Sequence, residues 1–228
     1  MEHVNVHSQQ RTPWVVGVSG ASGTPYAAAV LRALLAAGES VDLVVSRASR
    51  LTLLDETGIA FRDAHWQDDL RAWLARGADG KPDTFGALDL SDVRHWAAGD
   101  LAAGPSSGSY SVKGMLIVPA STACVAGVAL GLSKDLLQRA ASVTLKERRK
   151  LVVAVRETPL NGQTLRHLVT LDEAGAVVLP ASPAFYAGAT HIQDLVDFVA
   201  GRVLDAAGVP HGLYRRWEGE LGGGSRGN

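Results

Sequence analysis

The sequence lacks the features that mark a disulfide-linked, metal-binding or membrane protein. Cys124 is its single cysteine, which excludes an internal disulfide and a cysteine-rich zinc site. The seven histidines show no metal-binding spacing, and no apolar run reaches the roughly 18 residues of a membrane span. A net charge of −1 provides no broad basic surface for nucleic acid. We therefore expect a metal-free cytoplasmic protein without nucleic-acid or membrane partners.

Both ends of the chain differ in character from its centre. Residues 1–13 show no periodicity and no apolar signal core, and residues 219–228 contain a glycine-serine run. We expect both segments to be flexible. The intervening residues, 14–218, are enough for one α/β domain with a sizeable core.

The most informative segment is a strand, a glycine-rich turn and a helix that starts at residue 14. Residues 15–18 include a β-branched run typical of a buried strand, and Gly20 and Gly23 permit a tight turn. A helix over residues 24–37 would point free backbone amides back at the turn, an arrangement that suits a phosphate. The segment therefore predicts a site for a phosphorylated cofactor, although a plain strand-to-helix connection has the same pattern.

The next strand distinguishes between two kinds of cofactor. A nicotinamide site requires an acidic residue at the end of that strand, about 20 residues further on. Here the strand over residues 40–45 ends in Ser46 and Arg47, and Asp42 lies too early within it. A hydroxyl and a cation suit a phosphate better than a ribose diol, so we predict FMN in preference to NAD.

Strand and helix patterns alternate along the whole chain. This alternation predicts a three-layer αβα fold with a mostly parallel sheet, while residues 76–92 form a surface excursion to which we assign no role. The predicted helices cover residues 24–37, 47–57, 66–75, 122–131, 134–149, 163–174 and 191–207, and the predicted strands cover residues 14–18, 40–45, 116–119, 151–155 and 176–179.

Polar or conformationally special residues follow each of the five predicted strands. In a parallel sheet these strand ends share one edge, where ligands bind. The five segments are residues 19–23, 46–47, 119–122, 156–157 and 180–183. We therefore expect them to contribute to one site.

Several charged and aromatic residues are candidates for chemistry, and each also has a plainer interpretation. Arg156 and Glu157 at a strand end can bind a phosphate and manage protons, or form a solvated ion pair. Arg139 and Lys146, two helical turns apart, can share one anion or complement the helix dipole.

A serine-glycine segment and two aromatic residues complete the candidates. The segment Ser107-Gly108-Ser109 can present backbone amides to a phosphate or form a simple loop. Tyr186 and Trp217 can stack on an allylic group or serve only in packing.

Taken together, these segments resemble the flavin prenyltransferase (UbiX) family, formerly called aromatic acid decarboxylases or 3-octaprenyl-4-hydroxybenzoate decarboxylases. The resemblance extends from about residue 14 to residue 218. The motifs that carry it are residues 17–23 (GVSGASG), Ser121-Thr122, residues 145–149 (LKERR), 155–159 (VRETP), 183–186 (PAFY) and 194–202 (DLVDFVAGR).

The resemblance implies a flavodoxin-like Rossmann fold and a metal-independent prenyltransferase that binds FMN between subunits, usually in a dodecamer. Members transfer the dimethylallyl group of dimethylallyl phosphate to N5 and C6 of reduced FMN. The product, prenylated FMN, serves a partner decarboxylase of the UbiD family.

The resemblance also implies roles for individual residues. The implied flavin-binding residues are Gly20, Ala21, Ser22, Ser46, Ser121, Thr122, Ala123, Cys124 and Arg156. The implied substrate-binding residues are Ser107, Gly108, Arg139, Lys146, Tyr186, Arg202 and Trp217. The implied catalytic residues are Ser22, Glu56, Lys146 and Glu157.

These roles are physically consistent. A cluster of Arg139, Lys146 and Arg202 would stabilise the departing phosphate, and Glu56 would take the proton lost from C6 while Ser22 relays protons. Two alternatives remain open: an FMN-dependent cysteine-peptide decarboxylase of the same superfamily, and a non-catalytic FMN carrier. Neither of them needs the three cations.

Overall fold

The computed structural model describes residues 11–83, 85, 88–217 and 219. Within these ranges six strands form one parallel sheet in the order β3-β2-β1-β4-β5-β6. The strands are β1 (Trp14–Val18), β2 (Val41–Val45), β3 (Val93–His95), β4 (Gly114–Ala120), β5 (Lys150–Val155) and β6 (Val177–Pro180). The helices are α1 (Thr24–Ala36), α2 (Ser49–Thr57), α3 (Trp66–Leu74), α4 (Thr122–Ala129), α5 (Leu136–Lys146), α6 (Gly162–Glu173) and α7 (Ile192–Ala207).

Helices cover both faces of the sheet, and this explains why the central strands are apolar throughout. Successive side chains of a strand point to opposite faces. In β1, Trp14, Val16 and Val18 belong to one buried cluster, whereas Val15 belongs to the other. The first cluster contains residues of α1, α2, α3 and α7, and the second contains residues of α4, α5 and α6. The three-layer fold is therefore confirmed. None of these helices, within the described part of the chain, combines the length and apolar character of a membrane span.

All predicted helices and strands occur in the predicted order, but some bounds differ. Helix α5 ends at Lys146 and is therefore shorter than the helix predicted over residues 134–149. Arg148 adopts a left-handed conformation with φ of 55°, and the amide of Arg149 donates to the carbonyl of Thr144, which closes the helix end. Strand β3 was not predicted. It has only three residues, too few to show an alternating pattern.

The excursion over residues 76–92 packs against the domain. Gly77 donates to the Lys81 carbonyl in a tight turn, and the amide of Ala78 donates to Gln193 of α7 at 2.9 Å. Gly80 has φ of 75°, and a Cβ at this position would lie 2.2 Å from the Glu56 carbonyl oxygen. This excursion therefore lies between α2 and α7, while Thr84, Gly86 and Ala87 are outside the described residues.

A buried carboxylate anchors the start of the domain. Asp42 of β2 is fully buried, accepts from Arg11 at 2.5 Å and accepts from the Tyr110 hydroxyl at 2.9 Å. Arg11 also donates to the carbonyls of Val41 and Asp92. Residues 1–10 and 220–228 lie outside the described residues, so flexible termini remain a prediction.

Replacing Asp42 with Ala should destabilise the domain. The change leaves the Tyr110 hydroxyl and the Arg11 guanidinium without their buried acceptor, which costs about 2–3 kcal/mol. Urea denaturation should show this loss in the free energy of unfolding, while Asp55→Ala on the exposed face of α2 should change little. Equal stabilities of the two variants would contradict the anchoring role.

Candidate active site

The carboxyl ends of β1, β2 and β4 meet around the glycine turn. The Ser19 hydroxyl donates to the Pro119 carbonyl at 2.8 Å and accepts from the Ser121 amide at 2.7 Å, joining the ends of β1 and β4. Gly20 packs against Ala48, directly before α2, so closely that a Cβ would lie 2.5 Å from the Ala48 Cβ. A glycine is therefore required here, and the turn can approach the end of β2.

A small cavity, here called the Ser46 cavity, lies beside this turn. It has a volume of about 240 Å³. Its lining includes five of the predicted flavin-binding residues, namely Gly20, Ser46, Ser121, Ala123 and Cys124, together with Arg47. Burial raises the pKa of the Cys124 thiol to about 12, so this thiol is not a nucleophile at neutral pH. Thr122 begins α4 beside this cavity, and Ala21 is buried in the turn itself.

A larger cavity, here called the Glu56 cavity, lies on the α1 side of the turn. It has a volume of about 490 Å³ and contains three predicted functional residues, Ser22, Glu56 and Arg156. Arg156 donates through Nε to the Ser22 carbonyl at 2.9 Å, which fixes the guanidinium at the cavity wall. Glu157 follows Arg156 directly, and its carboxylate accepts from the neighbouring Thr158 amide at 3.0 Å.

Glu56 occupies the position at the start of α1 that the sequence analysis gave to a phosphate. Its carboxylate accepts from the amides of Gly23 and Thr24 at 2.9 and 2.8 Å, and from the Thr24 hydroxyl at 2.5 Å. Pro25 has no amide hydrogen, and the Tyr26 amide donates to the Gly23 carbonyl. The prediction of free amides at the start of α1 is therefore wrong. Within the turn over residues 19–23 of the described chain, the amides of Gly20 and Ser22 make no hydrogen bond.

These contacts keep Glu56 ionised. Burial by itself raises the pKa of this carboxyl, but hydrogen bonds from Ser22, from the Thr24 hydroxyl and from two backbone amides lower it further, so the net pKa lies below 4.5. At neutral pH Glu56 is therefore a fixed carboxylate in the cavity wall, able to accept a proton.

Four predicted phosphate-binding residues come together where the chain segment over residues 104–110, here called the 104–110 loop, packs on α5. Arg139 donates through Nε to the Ser106 carbonyl at 3.1 Å, and Lys146 pairs with Glu147. A Cβ on Gly108 would lie 2.7 Å from the Lys146 Nζ, so the absence of a side chain here lets the lysine lie directly against the loop. Ser107 and Ser109 are exposed on the loop.

The other predicted substrate-binding residues lie around α7. Tyr186 and Trp217 contact each other edge to face, with ring centroids 5.8 Å apart. Arg202 donates to Asp205 at 3.0 Å and lines a groove along β6. Burial opposes ionisation of Asp205, but hydrogen bonds from Tyr214, Arg216 and His211 prevail and bring its pKa to about 2. Asp205 is therefore the ionised partner of Arg202.

The structure does not bring all of these cations together within one chain. Helix α5 belongs to the buried cluster on one face of the sheet, and α7 belongs to the cluster on the opposite face. The sheet therefore separates Arg139 and Lys146 from Arg202. One chain therefore does not bring Arg139, Lys146 and Arg202 together by itself, and the predicted cluster of these three cations stays a prediction for a site completed across a subunit boundary.

Sequence reasoning missed the contribution of the excursion. Ala78 and Asp79 line the Glu56 cavity opposite the glycine turn. The DGKP run over residues 79–82 indicates a turn, but a turn pattern carries no information about where it packs. In the described chain, no three His, Cys, Asp or Glu side chains are grouped so as to hold a metal ion.

The fold and its cavities define the class of protein: a three-layer α/β domain with a ligand site at the carboxyl edge of its sheet. A family model described as "Flavoprotein" matches residues 2–204. The flavin prenyltransferase UbiX of Streptomyces coelicolor is 90% identical over 211 residues, which cover 92% of this chain and 97% of that protein. The chain belongs to the flavin prenyltransferase (UbiX) family, as the sequence motifs predicted.

Two solved structures agree with this assignment. AnUbiX (PadA1), crystallised with FMN and dimethylallyl pyrophosphate, is 34% identical with a TM-score of 0.77, and the match covers 93% of this chain and 100% of that chain. A dodecameric FMN-dependent UbiX-like decarboxylase from Escherichia coli O157:H7 is 33% identical with a TM-score of 0.76, covering 91% of this chain and 100% of that chain.

The cap that Glu56 forms on α1 should stabilise the protein in a pH-dependent manner. Since the folded pKa lies below the unfolded value of 4.5, the stabilisation is complete above pH 4.5 and is lost as the pH falls through the folded pKa. Glu56→Gln should therefore cost about 1 kcal/mol near neutral pH and progressively less in acid. Denaturant titrations across this range test the prediction, with Glu173→Gln on exposed α6 as the control. A difference that stays constant with pH would contradict it.

Proposed function

We propose that this protein transfers the dimethylallyl group of dimethylallyl phosphate to N5 and C6 of reduced FMN, which makes prenylated FMN without a metal. The observation that carries the proposal is the 90% identity to a flavin prenyltransferase over almost the whole chain. A solved relative that holds FMN together with dimethylallyl pyrophosphate supports the same pair of ligand classes.

The residues present fit FMN. We assign the phosphate of FMN to the Ser46 cavity, where Arg47 and the unpaired Gly20 amide provide donors. The Ser46 hydroxyl donates to the Ser49 hydroxyl at 3.2 Å and would have to turn to reach the ligand. The absence of a side chain on Gly20 lets the ligand approach the backbone at this point. The larger Glu56 cavity, with apolar walls that include Pro183 and Ile192, suits the planar ring system. Reduced FMN supplies the two nucleophilic ring atoms of the reaction.

Glu56 is the proposed base for ring closure. Its carboxylate is ionised, and its contacts with α1 hold it at the wall of the Glu56 cavity. Ser22 lines the same cavity as Glu56 and helps to lower the pKa of its carboxyl, so we propose that Ser22 relays a proton between Glu56 and the ligand.

The cations are the proposed stabilisers of the leaving phosphate. Loss of phosphate from an allylic carbon concentrates negative charge on its oxygens, and fixed cations favour that charge most in the transition state. Arg139, Lys146 and Arg202 supply these cations. Ser107, Gly108 and Glu157 complete the proposed binding site. Glu157 and Lys146 are the proposed groups that exchange protons with the phosphate. Tyr186 and Trp217 present aromatic faces to the allylic carbons.

This assignment requires a homo-oligomer. Since α5 and α7 cover opposite faces of the sheet, Arg139 and Arg202 can act on one phosphate only if they come from different chains. We propose a dodecamer, the state given for the related E. coli protein. We further propose that the protein is cytoplasmic and delivers prenylated FMN to a UbiD-family decarboxylase. The proposed domain comprises residues 14–218.

Two other activities remain as alternatives for experiment. A cysteine-peptide decarboxylase and an FMN carrier would both use the glycine turn, but neither needs the cations on α5. Anaerobic incubation with reduced FMN and dimethylallyl phosphate, followed by mass spectrometry of the flavin, separates all three. A flavin whose mass rises by one dimethylallyl group supports the prenyltransferase, and an unchanged flavin would contradict it.

Lys146→Ala should separate chemistry from flavin binding. The loss of one charge-assisted hydrogen bond to the leaving phosphate should slow prenyl transfer about 10- to 100-fold. The affinity for FMN should stay unchanged, since Lys146 lies on α5 away from both cavities. Lys134→Ala, which removes an exposed lysine before α5, is the matched control. Equal rates for the two variants would remove Lys146 from the mechanism.

Co-expression of two inactive variants tests the shared site. Arg139→Ala and Arg202→Ala should each abolish most prenyl transfer, yet mixed oligomers should recover part of it. Recovery is expected because some sites then combine an intact Arg139 from one chain with an intact Arg202 from another. Two different affinity tags would confirm that the oligomers are mixed. Confirmed mixed oligomers without recovery would contradict a site shared between chains.

A further inference from the structure

The backbone of the 104–110 loop is held in part by the guanidinium group of Arg149, which the proposed reaction does not use. Arg149 donates through Nη2 to the Gly108 carbonyl at 2.8 Å and through Nη1 to the Tyr110 carbonyl at 2.9 Å. One planar guanidinium therefore hydrogen-bonds to both ends of the short segment that contains Ser109. Arg149 itself is partly buried, just beyond the end of α5.

These two hydrogen bonds from Arg149 determine the direction of the Ser109 amide. In a trans peptide unit the carbonyl and the N–H point in opposite directions. With the Gly108 carbonyl directed at Arg149, the N–H of Ser109 must point away from Arg149. In the described chain this amide makes no hydrogen bond, and Ser109 is exposed.

The other end of the loop is fixed independently. The Tyr110 hydroxyl donates to the buried Asp42, and the Tyr110 ring packs so tightly under Gly104 that a Cβ there would lie 2.7 Å from it. At the start of the loop, Arg139 donates to the Ser106 carbonyl. The loop is thus fixed before ligand arrives, and its unpaired amide is preorganised.

We propose that Arg149 is a positioning residue that aims the Ser109 amide at the phosphate of the allylic substrate. This inference rests on the proposed function, in which Ser107, Gly108 and Lys146 bind that phosphate. Ser109 then adds a backbone donor beside them, and such donors recognise phosphate oxygens without adding charge. Arg149 does not touch the substrate in this arrangement.

Arg149→Lys is the decisive variant, because it keeps the positive charge but cannot hold two carbonyls in one plane. It should raise the KM for dimethylallyl phosphate about tenfold, leaving kcat at saturation and the dissociation constant for FMN almost unchanged. Calorimetric binding of dimethylallyl phosphate should weaken by the same factor. The matched control is Arg148→Lys, since Arg148 is exposed and no contact of its side chain is seen in the described chain.

A second pair of variants tests the amide itself. Ser109→Pro removes the N–H, whereas Ser109→Ala removes only the hydroxyl, so Pro should raise KM and Ala should not. The inference is overturned if Arg149→Lys and Arg148→Lys give the same KM, or if Ser109→Pro binds dimethylallyl phosphate as well as Ser109→Ala. An unmodified protein that makes no prenylated flavin would instead refute the proposed function, which keeps the two failures distinguishable.

Discussion

The contact between the Glu56 carboxylate and the start of α1 is the interaction on which the active site depends. It fixes three elements at one point. Glu56 belongs to α2, its carboxylate holds the amides of Gly23 and Thr24, and its own carbonyl lies against Gly80 of the excursion. Because the carboxylate faces the larger cavity, the same contact that positions α1 also positions the proposed base.

The sheet sets the second constraint, which is that one chain cannot complete the proposed phosphate site. Parallel strands buried on both faces require helices on both faces, and this places α5 and α7 on opposite sides. The sheet does not separate the predicted flavin-binding residues, because they follow the carboxyl ends of strands and meet at one edge. The proposed site thus combines a ligand edge built within each chain with cations contributed by different chains.

The fold was largely predictable from the sequence because its signals are local. Alternating apolar strands and amphipathic helices give the three layers, and the polar residues after β1, β2 and β4 correctly indicate the cavity edge. Strand β3 has three residues and no periodicity, so no local signal exists for it. The end of α5 was missed because Arg148, not glycine, adopts the left-handed conformation there.

The site was predictable in its residues but less so in its geometry. The resemblance to the family implied roles for Ser22, Glu56 and Arg156, and these three residues share a cavity. Nothing in the sequence shows that Glu56, 33 positions after Gly23, occupies the amides at the start of α1. Equally, the spacing of Arg139 and Lys146 places them on one helix face but says nothing of the distance to Arg202. Both facts arise from tertiary packing.

The Glu56 carboxylate at α1 also bears on which part of FMN each of the two cavities is proposed to bind. A helix start is ordinarily attractive to phosphate, because its amides are unpaired and its dipole is positive there. In this chain Glu56 uses those amides, so the start of α1 offers no free amide to a phosphate, although Arg156 adds a positive charge to the same cavity. The Ser46 cavity retains Arg47 and the Gly20 amide as donors, and its lining also includes Asp135. Because the start of α1 is occupied, the proposed arrangement places the phosphate of the flavin in the Ser46 cavity and its ring beside Glu56, the proposed base.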